Sequence, residues 1–261
     1  MKFINWRDYF ISNRNHFAYL DWADVDPLTS NERKTITASI RQFQRGEHSE
    51  GKHFLHFAKE LNDQSYEDAV KLFIKEEQDH AEVLGRFMAI HNIPPLKKDW
   101  LDNTFRKLRK LGGLEGSVTV LLSAEIISMV YYDALDRSTR SFMLQEISRQ
   151  ILVDEDMHLR FQSYTLRIVY SRKQKFSVLF SGILHSILMV GTILMVWFFH
   201  RKVLKAGGYH FASFLHAVWK QFLRCRKMIL NKQDANPVFY QPVPKNPIVM
   251  EKIPEISNIN S

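Results

Sequence analysis

Two Glu-x-x-His motifs constrain this sequence more than any other feature. Glu77 and His80 form the first motif, and Glu155 and His158 form the second, both in segments with helical apolar spacing. Residues three apart lie on one helix face, about one turn apart, so each motif can offer a carboxylate and an imidazole to one ion. Glu47 precedes Glu77 by 30 residues, and Glu125 precedes Glu155 by 30. This repeated spacing predicts two helical hairpins that present matching polar side chains to a shared core.

Apolar periodicity and stop signals predict four long helices. Residues 29–32 fit a capping box, so the first helix should begin near Ser30. The predicted helices cover residues 30–61, 66–91, 114–135 and 140–171. A long connection over residues 92–113 contains a basic, predicted helical stretch at 105–111. The order hairpin, long crossover, hairpin is a standard connectivity of four-helix bundles, which predicts an all-α bundle over residues 30–172.

The segments outside this bundle differ in composition. Residues 1–29 are aromatic-rich and form a predicted N-terminal arm. Residues 176–199 contain no Lys, Arg, Asp or Glu, and their length is sufficient to span a bilayer, for which about 20 apolar residues are enough. The alternative is a fifth helix that packs on the bundle or in a dimer. Residues 200–232 contain a predicted basic amphipathic helix at about 210–230, and residues 233–261 hold five of the eight prolines, which predicts a flexible tail.

The charge of the predicted core indicates a metal site. A buried, unpaired carboxylate costs several kcal/mol, and four of them would cancel the roughly 5–15 kcal/mol of net stability of a typical domain. The apolar stripes around Glu47, Glu77, Glu125 and Glu155 carry no Lys or Arg. Two metal cations would compensate the charge. Mixed carboxylate and imidazole ligands suit iron or manganese, with zinc as an alternative, and the single cysteine excludes four-cysteine sites.

Three further acids lie near these predicted ligands. Glu50 and Glu47 both fall on the core-facing stripe, so Glu50 is either an extra ligand or a neighbour of the ligands. Glu76 and Asp154 immediately precede the two motif glutamates, where they would either orient the imidazoles or lie on a solvated face. One such motif alone is usually an exposed glutamate beside a structural histidine. Two motifs and two core glutamates on four successive helices favour the metal site.

These residues resemble the ferritin-like di-iron carboxylate superfamily, which includes bacterioferritins, rubrerythrins, ribonucleotide reductase small subunits and bacterial multicomponent monooxygenases. The resemblance covers about residues 30–171. It implies a cofactor of two iron ions, or manganese or a mixed Fe/Mn pair. It also implies that Glu77 and Glu155 bridge the ions, that Glu47 and His80 complete one ion, and that Glu125 and His158 complete the other.

The resemblance also implies a function. The first expectation is a non-haem di-iron oxidase or oxygenase that activates dioxygen on a small or lipophilic substrate, with a separate electron donor. The second is a ferroxidase-like iron-binding or peroxide-detoxifying protein, and the third is a membrane-tethered structural protein with a vestigial metal site. Tyr131 and Tyr132 lie near Glu125 in the sequence, either as redox-active residues or as plain core.

Charge and the N-terminal sequence bear on partners and location. The net charge is +8, but Lys and Arg alternate with acids up to about residue 160, which argues against a nucleic-acid partner. The first residues lack the apolar stretch of a secretion signal, so we expect a cytoplasm-facing protein. Residues 176–199 would anchor it in the inner membrane, with lipid as a partner, or the protein would be soluble in the cytoplasm. A homodimer is expected because dimers are common in the superfamily.

Overall fold

The computed structural model describes residues 2–23, 25–48, 51–96 and 112–230. These ranges contain eight α-helices and no strand. Glu50, the predicted helical stretch at 105–111 and the tail at 233–261 lie outside the described residues. The helices are α1 (Phe3–Ser12), α2 (Ser30–Glu47), α3 (Lys52–Ala58), α4 (Gln64–Ile90), α5 (Gly113–Ser138), α6 (Phe142–Ser171), α7 (Lys175–Ala206) and α8 (Phe211–Leu230).

Helices α2, α4, α5 and α6 form the central bundle, as two hairpins joined by the long crossover that follows α4. The predicted all-α bundle is therefore confirmed. Helix α2 begins with the predicted capping box, in which the Thr29 hydroxyl accepts from the Glu32 amide and the Glu32 carboxylate accepts from the Thr29 amide. Asp63 and Ser141 cap α4 and α6 in the same way, through hydrogen bonds from the third residue onward.

The first predicted helix is interrupted, which corrects the continuous apolar stripe expected over residues 30–61. Helix α2 ends at Glu47, and α3 begins at Lys52 and continues into the 3₁₀ turn Lys59–Leu61. Gly51 has φ +64°, and a Cβ atom there would clash with the Ile74 side chain of α4. Only glycine meets both requirements without strain. The chain thus changes direction just after Glu47, which leaves Glu47 at the end of a helix and buried.

The first half of the predicted N-terminal arm is a helix that belongs to the core. Helix α1 packs on α4 and buries Phe3, Trp6 and Phe10. The Trp6 and Phe161 ring centroids are 5.5 Å apart, and those of Phe10 and Phe73 are 6.3 Å apart. Helix α1 therefore covers the seam between α4 and α6, on which the candidate site lies.

Helices α7 and α8 cover another side of the bundle. Helix α7 packs on α5 and α2 along a face that includes Met189, Ile193 and Val203, and α8 packs on α6 and α5. By length and composition alone, α5 and α7 could each cross a membrane. The apolar window of α5 is 78% buried, whereas that of α7 is only 22% buried. Helix α5 is thus a core helix, and α7 exposes a long apolar face.

Candidate metal centre

The six predicted ligands converge between the four bundle helices. Helix α2 supplies Glu47, α4 supplies Glu77 and His80, α5 supplies Glu125, and α6 supplies Glu155 and His158. One group consists of Glu47, Glu77, His80 and Glu155, and a second of Glu77, Glu125, Glu155 and His158. Within each group, one potential ligand atom per residue lies within 4.8 Å of all the others. Because Glu77 and Glu155 belong to both groups, the geometry is that of two adjacent ion sites with two shared carboxylates.

The atoms that face this centre lack hydrogen-bond partners among the described residues. They are Oε1 of Glu77, both carboxylate oxygens of Glu155, and Nδ1 of His80 and of His158. Nδ1 of His158 lies 2.9 Å from Oε1 of Glu77, yet the two are not aligned as a hydrogen bond. A buried unpaired polar atom costs about 1–3 kcal/mol, so five in one cluster call for another partner. Oxygen and imidazole donors in this arrangement fit two metal cations.

The opposite nitrogen of each imidazole contacts an acid from the other hairpin. Nε2 of His80 on α4 lies 3.2 Å from Oδ2 of Asp154 on α6. Nε2 of His158 on α6 lies 2.8 Å from Oε2 of Glu76 on α4. Both acids are buried, so neither lies on a solvated face. Each acid fixes the ring so that Nδ1 points to the carboxylate cluster.

Comparison with known proteins bears on the fold. No protein-family profile matches the sequence, and no curated protein matches it. Solved structures of R2-like ligand-binding oxidases do match. One mutant with an anaerobically reconstituted Mn/Fe cofactor is 16% identical, with TM-score 0.62, over 87% of this chain and 93% of its own. A mutant with an aerobically reconstituted Mn/Fe cofactor is 16% identical, with TM-score 0.61, over 85% and 93%.

This chain has the ferritin-like fold. The predicted resemblance is confirmed at that level, since those oxidases are ferritin-like helical bundles. At 16% identity the likeness establishes the fold alone. The assignment of particular residues in this ferritin-like bundle therefore depends on its own geometry.

Burial and crowding shift the pKa values of the clustered acids. Burial raises the pKa of Glu47 well above its ordinary value, and the neighbouring Glu77 carboxylate raises it further. Burial and Glu125 do the same to the pKa of Glu155. Burial alone would lower the pKa of His158, but contacts with Glu125 and Glu155 outweigh it and raise that pKa well above the ordinary value. In the protein alone, bound protons would compensate the acids, and metal cations would take over that role.

Two residues after α1 complete the surroundings of the imidazoles, and the sequence analysis missed both. The Asn13 side-chain amide donates to Oε1 of Glu76 at 2.5 Å and to Oδ1 of Asp154 at 2.9 Å. Nδ1 of His16 lies 2.8 Å from Oδ2 of Asp154. No periodic pattern in the first 29 residues indicates these contacts, which join distant parts of the chain. Asn13 thus links the two acids that hold the two imidazoles.

Tyr132 and Gln162 hold the outer glutamates. The Tyr132 hydroxyl donates to Oε1 of Glu47 at 2.6 Å, and the Gln162 amide donates to Oε1 of Glu125 at 3.1 Å. Burial, together with Glu47, raises the pKa of Tyr132 well above its ordinary value, so the hydroxyl keeps its proton. Tyr131 lies one residue away but accepts a 3.1 Å hydrogen bond from the Ser39 hydroxyl instead. Of the two predicted tyrosines, only Tyr132 contacts a candidate ligand in the described structure.

Proposed function

We propose that this protein is a dimetal oxidase that reduces dioxygen and acts on a small or lipophilic organic substrate. The observation that carries the proposal is the pair of four-residue groups that share Glu77 and Glu155. The matching R2-like ligand-binding oxidases carry Mn/Fe cofactors, which supports the same cofactor class here. We propose two iron ions, with manganese or a mixed Fe/Mn pair as the alternative.

The proposed ligand roles follow the two groups. Glu77 and Glu155 would bridge the ions, Glu47 and His80 would complete one site, and Glu125 and His158 would complete the other. Two such ions supply electrons and open coordination positions for dioxygen reduction. The carboxylates supply negative charge, and the imidazoles bind through Nδ1 because Nε2 is held by an acid.

An aromatic shell shields the proposed site from water. The Phe73 ring centroid lies 4.7 Å from that of His158, and the Phe10 centroid lies 6.1 Å from it. Phe161 packs on both phenylalanines and is fully buried. Exclusion of water strengthens the electrostatic contacts in the site and protects a reactive oxidant from side reactions. A dry, aromatic environment supports the choice of an apolar substrate, with electrons from a separate donor protein.

Metal loading and oxygen consumption test the proposal. The full chain is mixed anaerobically with Fe(II), or with Fe(II) and Mn(II), and bound metal is measured before oxygen is added. Two ions per chain and oxygen uptake that an organic compound stimulates support the oxidase. Fe(II) oxidation without such stimulation supports the ferroxidase or peroxidase alternative, and the absence of bound metal contradicts the whole proposal. Glu77→Gln should lose metal, whereas the matched control Glu82→Gln, on the exposed side of the same helix, should not.

We also propose that the protein rests on a cytoplasm-facing membrane surface through α7, not that α7 spans the bilayer. The inward face of α7 makes polar contacts with the bundle: Nε2 of His185 lies 3.1 Å from the Ser123 hydroxyl, and Nδ1 of His200 lies 2.7 Å from the Ser39 hydroxyl. A spanning α7 would lose both contacts. Its outward face exposes large apolar side chains such as Ile187 and Phe198.

Vesicle flotation tests the surface-bound arrangement. Binding that Ile187→Glu abolishes supports it, because a charge on this exposed position would enter the lipid interface. The matched control is Ile11→Glu, since Ile11 is exposed on α1. Extraction from native membranes only by detergent, with α7 protected from protease on both sides, would support a spanning helix instead. Sedimentation of the detergent-free protein tests the expected homodimer.

A further inference from the structure

A pocket of about 210 Å³ lies between the start of α7 and the end of α8, beside the end of α6. Its wall is mostly apolar, from Val178, Leu179, Ile229 and Leu230. His185 also lines it and is neutral at physiological pH, because burial and the nearby Arg226 lower its pKa to about 4. Two cationic side chains, Lys175 and Arg226, complete the lining. An apolar wall with two cations is the pattern of a site for an anionic amphiphile.

Arg226 lacks an acidic partner among the described residues. The half-buried guanidinium donates only to the Gly182 carbonyl at 3.4 Å and to the Ser186 hydroxyl at 3.3 Å. Both bonds are long, and both partners are neutral. Glu115, on α5, is occupied by the Lys173 ammonium and the Ser181 hydroxyl. The planar guanidinium can therefore still form a bidentate contact with a carboxylate or a phosphate.

The charge of the surrounding chain explains this lack of a partner. No Asp or Glu occurs from residue 157 to residue 233, whereas thirteen Lys and Arg do. The part of the chain that forms α7 and α8 is therefore cationic throughout. A second copy of the same surface would meet it with like charge, whereas an anionic ligand would meet it with opposite charge.

The pocket is continuous with the exposed apolar face of α7. Leu179 lines the pocket and is 58% exposed, and the neighbouring Phe176, Phe180 and Ile183 are all at least half exposed. The pocket is smaller than the roughly 300–1,000 Å³ that hold a whole drug-sized ligand. It suits a headgroup and the first methylenes of a chain, with the rest of the chain along α7.

We propose that this pocket binds an amphiphile with an acyl chain and an anionic headgroup. The headgroup is the carboxylate of a free fatty acid or the phosphate of a membrane phospholipid, and Arg226 and Lys175 recognise it in either case. The site is formed by α6, α7 and α8 without any candidate metal ligand, so it does not depend on the proposed oxidase activity.

Calorimetry with laurate and flotation with vesicles test the site. The full chain should bind laurate but not dodecyltrimethylammonium, which has the same chain length and the opposite charge. Arg226→Gln should weaken laurate binding roughly tenfold or more, as expected for the loss of a charged hydrogen bond. Lys175→Gln, at an exposed residue that cannot disturb folding, should weaken it by a smaller factor. Lys220→Gln, the same charge change at an exposed α8 residue outside the pocket, is the matched control.

The vesicle arm separates the two ligand sources. Laurate binding that Arg226→Gln weakens supports a free fatty acid. Binding to phosphatidylglycerol vesicles but not to phosphatidylcholine vesicles, with sensitivity to Arg226→Gln and without laurate binding, supports a phospholipid. Equal binding of both detergents, or equal effects of Arg226→Gln and Lys220→Gln, would overturn the proposal. An unchanged melting temperature of each variant shows that it is folded.

Discussion

Replacement of Asp154 by Asn should weaken one of the two proposed metal sites and spare the other. Asp154 is fully buried, and its two oxygens face four nitrogen atoms. Oδ2 lies near His80 and His16, and Oδ1 accepts from Asn13 and from Gln150 at 3.0 Å. Burial alone would raise the pKa of Asp154, but its contacts with His16 and His80 outweigh it and lower that pKa, so the acid is charged.

The expected magnitude follows from these contacts. An asparagine cannot accept from all four nitrogens, so at least one buried donor is left unpaired, at a cost of about 1–3 kcal/mol in unfolding free energy. Loss of the charge beside His80 also reduces the basicity of its Nδ1. Loss of such a partner typically lowers metal affinity about 10- to 100-fold, or about 1.4–2.7 kcal/mol. The site with His158 keeps its own acid, Glu76, so only one of two ions should bind more weakly.

Anaerobic titration with Co(II), followed by its visible absorption, measures the two affinities separately. Asp154→Asn should bind one Co(II) as the wild type does and the second more weakly, and Glu76→Gln should show the same pattern for the other site. Asp156→Asn is the matched control on the same helix, because Asp156 pairs with Arg160 and Arg224. Two wild-type affinities in a folded Asp154→Asn variant would refute the crossed support of the imidazoles.

Three further substitutions test other contacts. Asn13→Ala should weaken both Co(II) sites in the same titration, because its amide holds both supporting acids; an effect on one site only would contradict this role. Tyr132→Phe should weaken the site that contains Glu47 severalfold and leave the melting temperature within a few degrees, as calorimetry would show. Glu32→Gln should lower the unfolding free energy by about 1–2 kcal/mol at pH 7 in urea titrations, because Glu32 accepts hydrogen bonds at the starts of both α2 and α6. These hydrogen bonds outweigh the effect of burial and lower the pKa of Glu32, so its stabilisation exists above the ordinary pKa of about 4.3 and fades as the pH falls below it; a difference that persists in acid would refute this.

The bundle and the convergence of six side chains could be predicted because both depend on local periodicity. Glu77 and His80 lie three apart on α4, and any regular helix places them on one face. The equal interval of 30 residues adds the match between hairpins. Neither inference needs knowledge of long-range contacts, since helix geometry alone determines them. The capping box at Thr29 is local in the same sense.

The sequence analysis failed where a contact depended on the path of an irregular segment. Asn13 lies in a turn after α1, and its partners are 63 and 141 residues away. The break after Glu47 was missed because apolar spacing continues across it, although Gly51 was a signal that could have been used. Hydropathy also could not separate α5 from α7, since both pass the same composition test and only packing decides which is buried.

The crossed acids explain why the two hairpins must fold together around the site. If each imidazole were held by an acid of its own hairpin, either hairpin could arrange its ligands alone. Instead Asp154 on α6 holds His80 on α4, and Glu76 on α4 holds His158 on α6. Each half-site is therefore incomplete until the other hairpin docks, and Asn13 from the N-terminal segment then links the two acids. Because the acids lie directly before the bridging Glu155 and Glu77, one docking event positions ligands and their supports together.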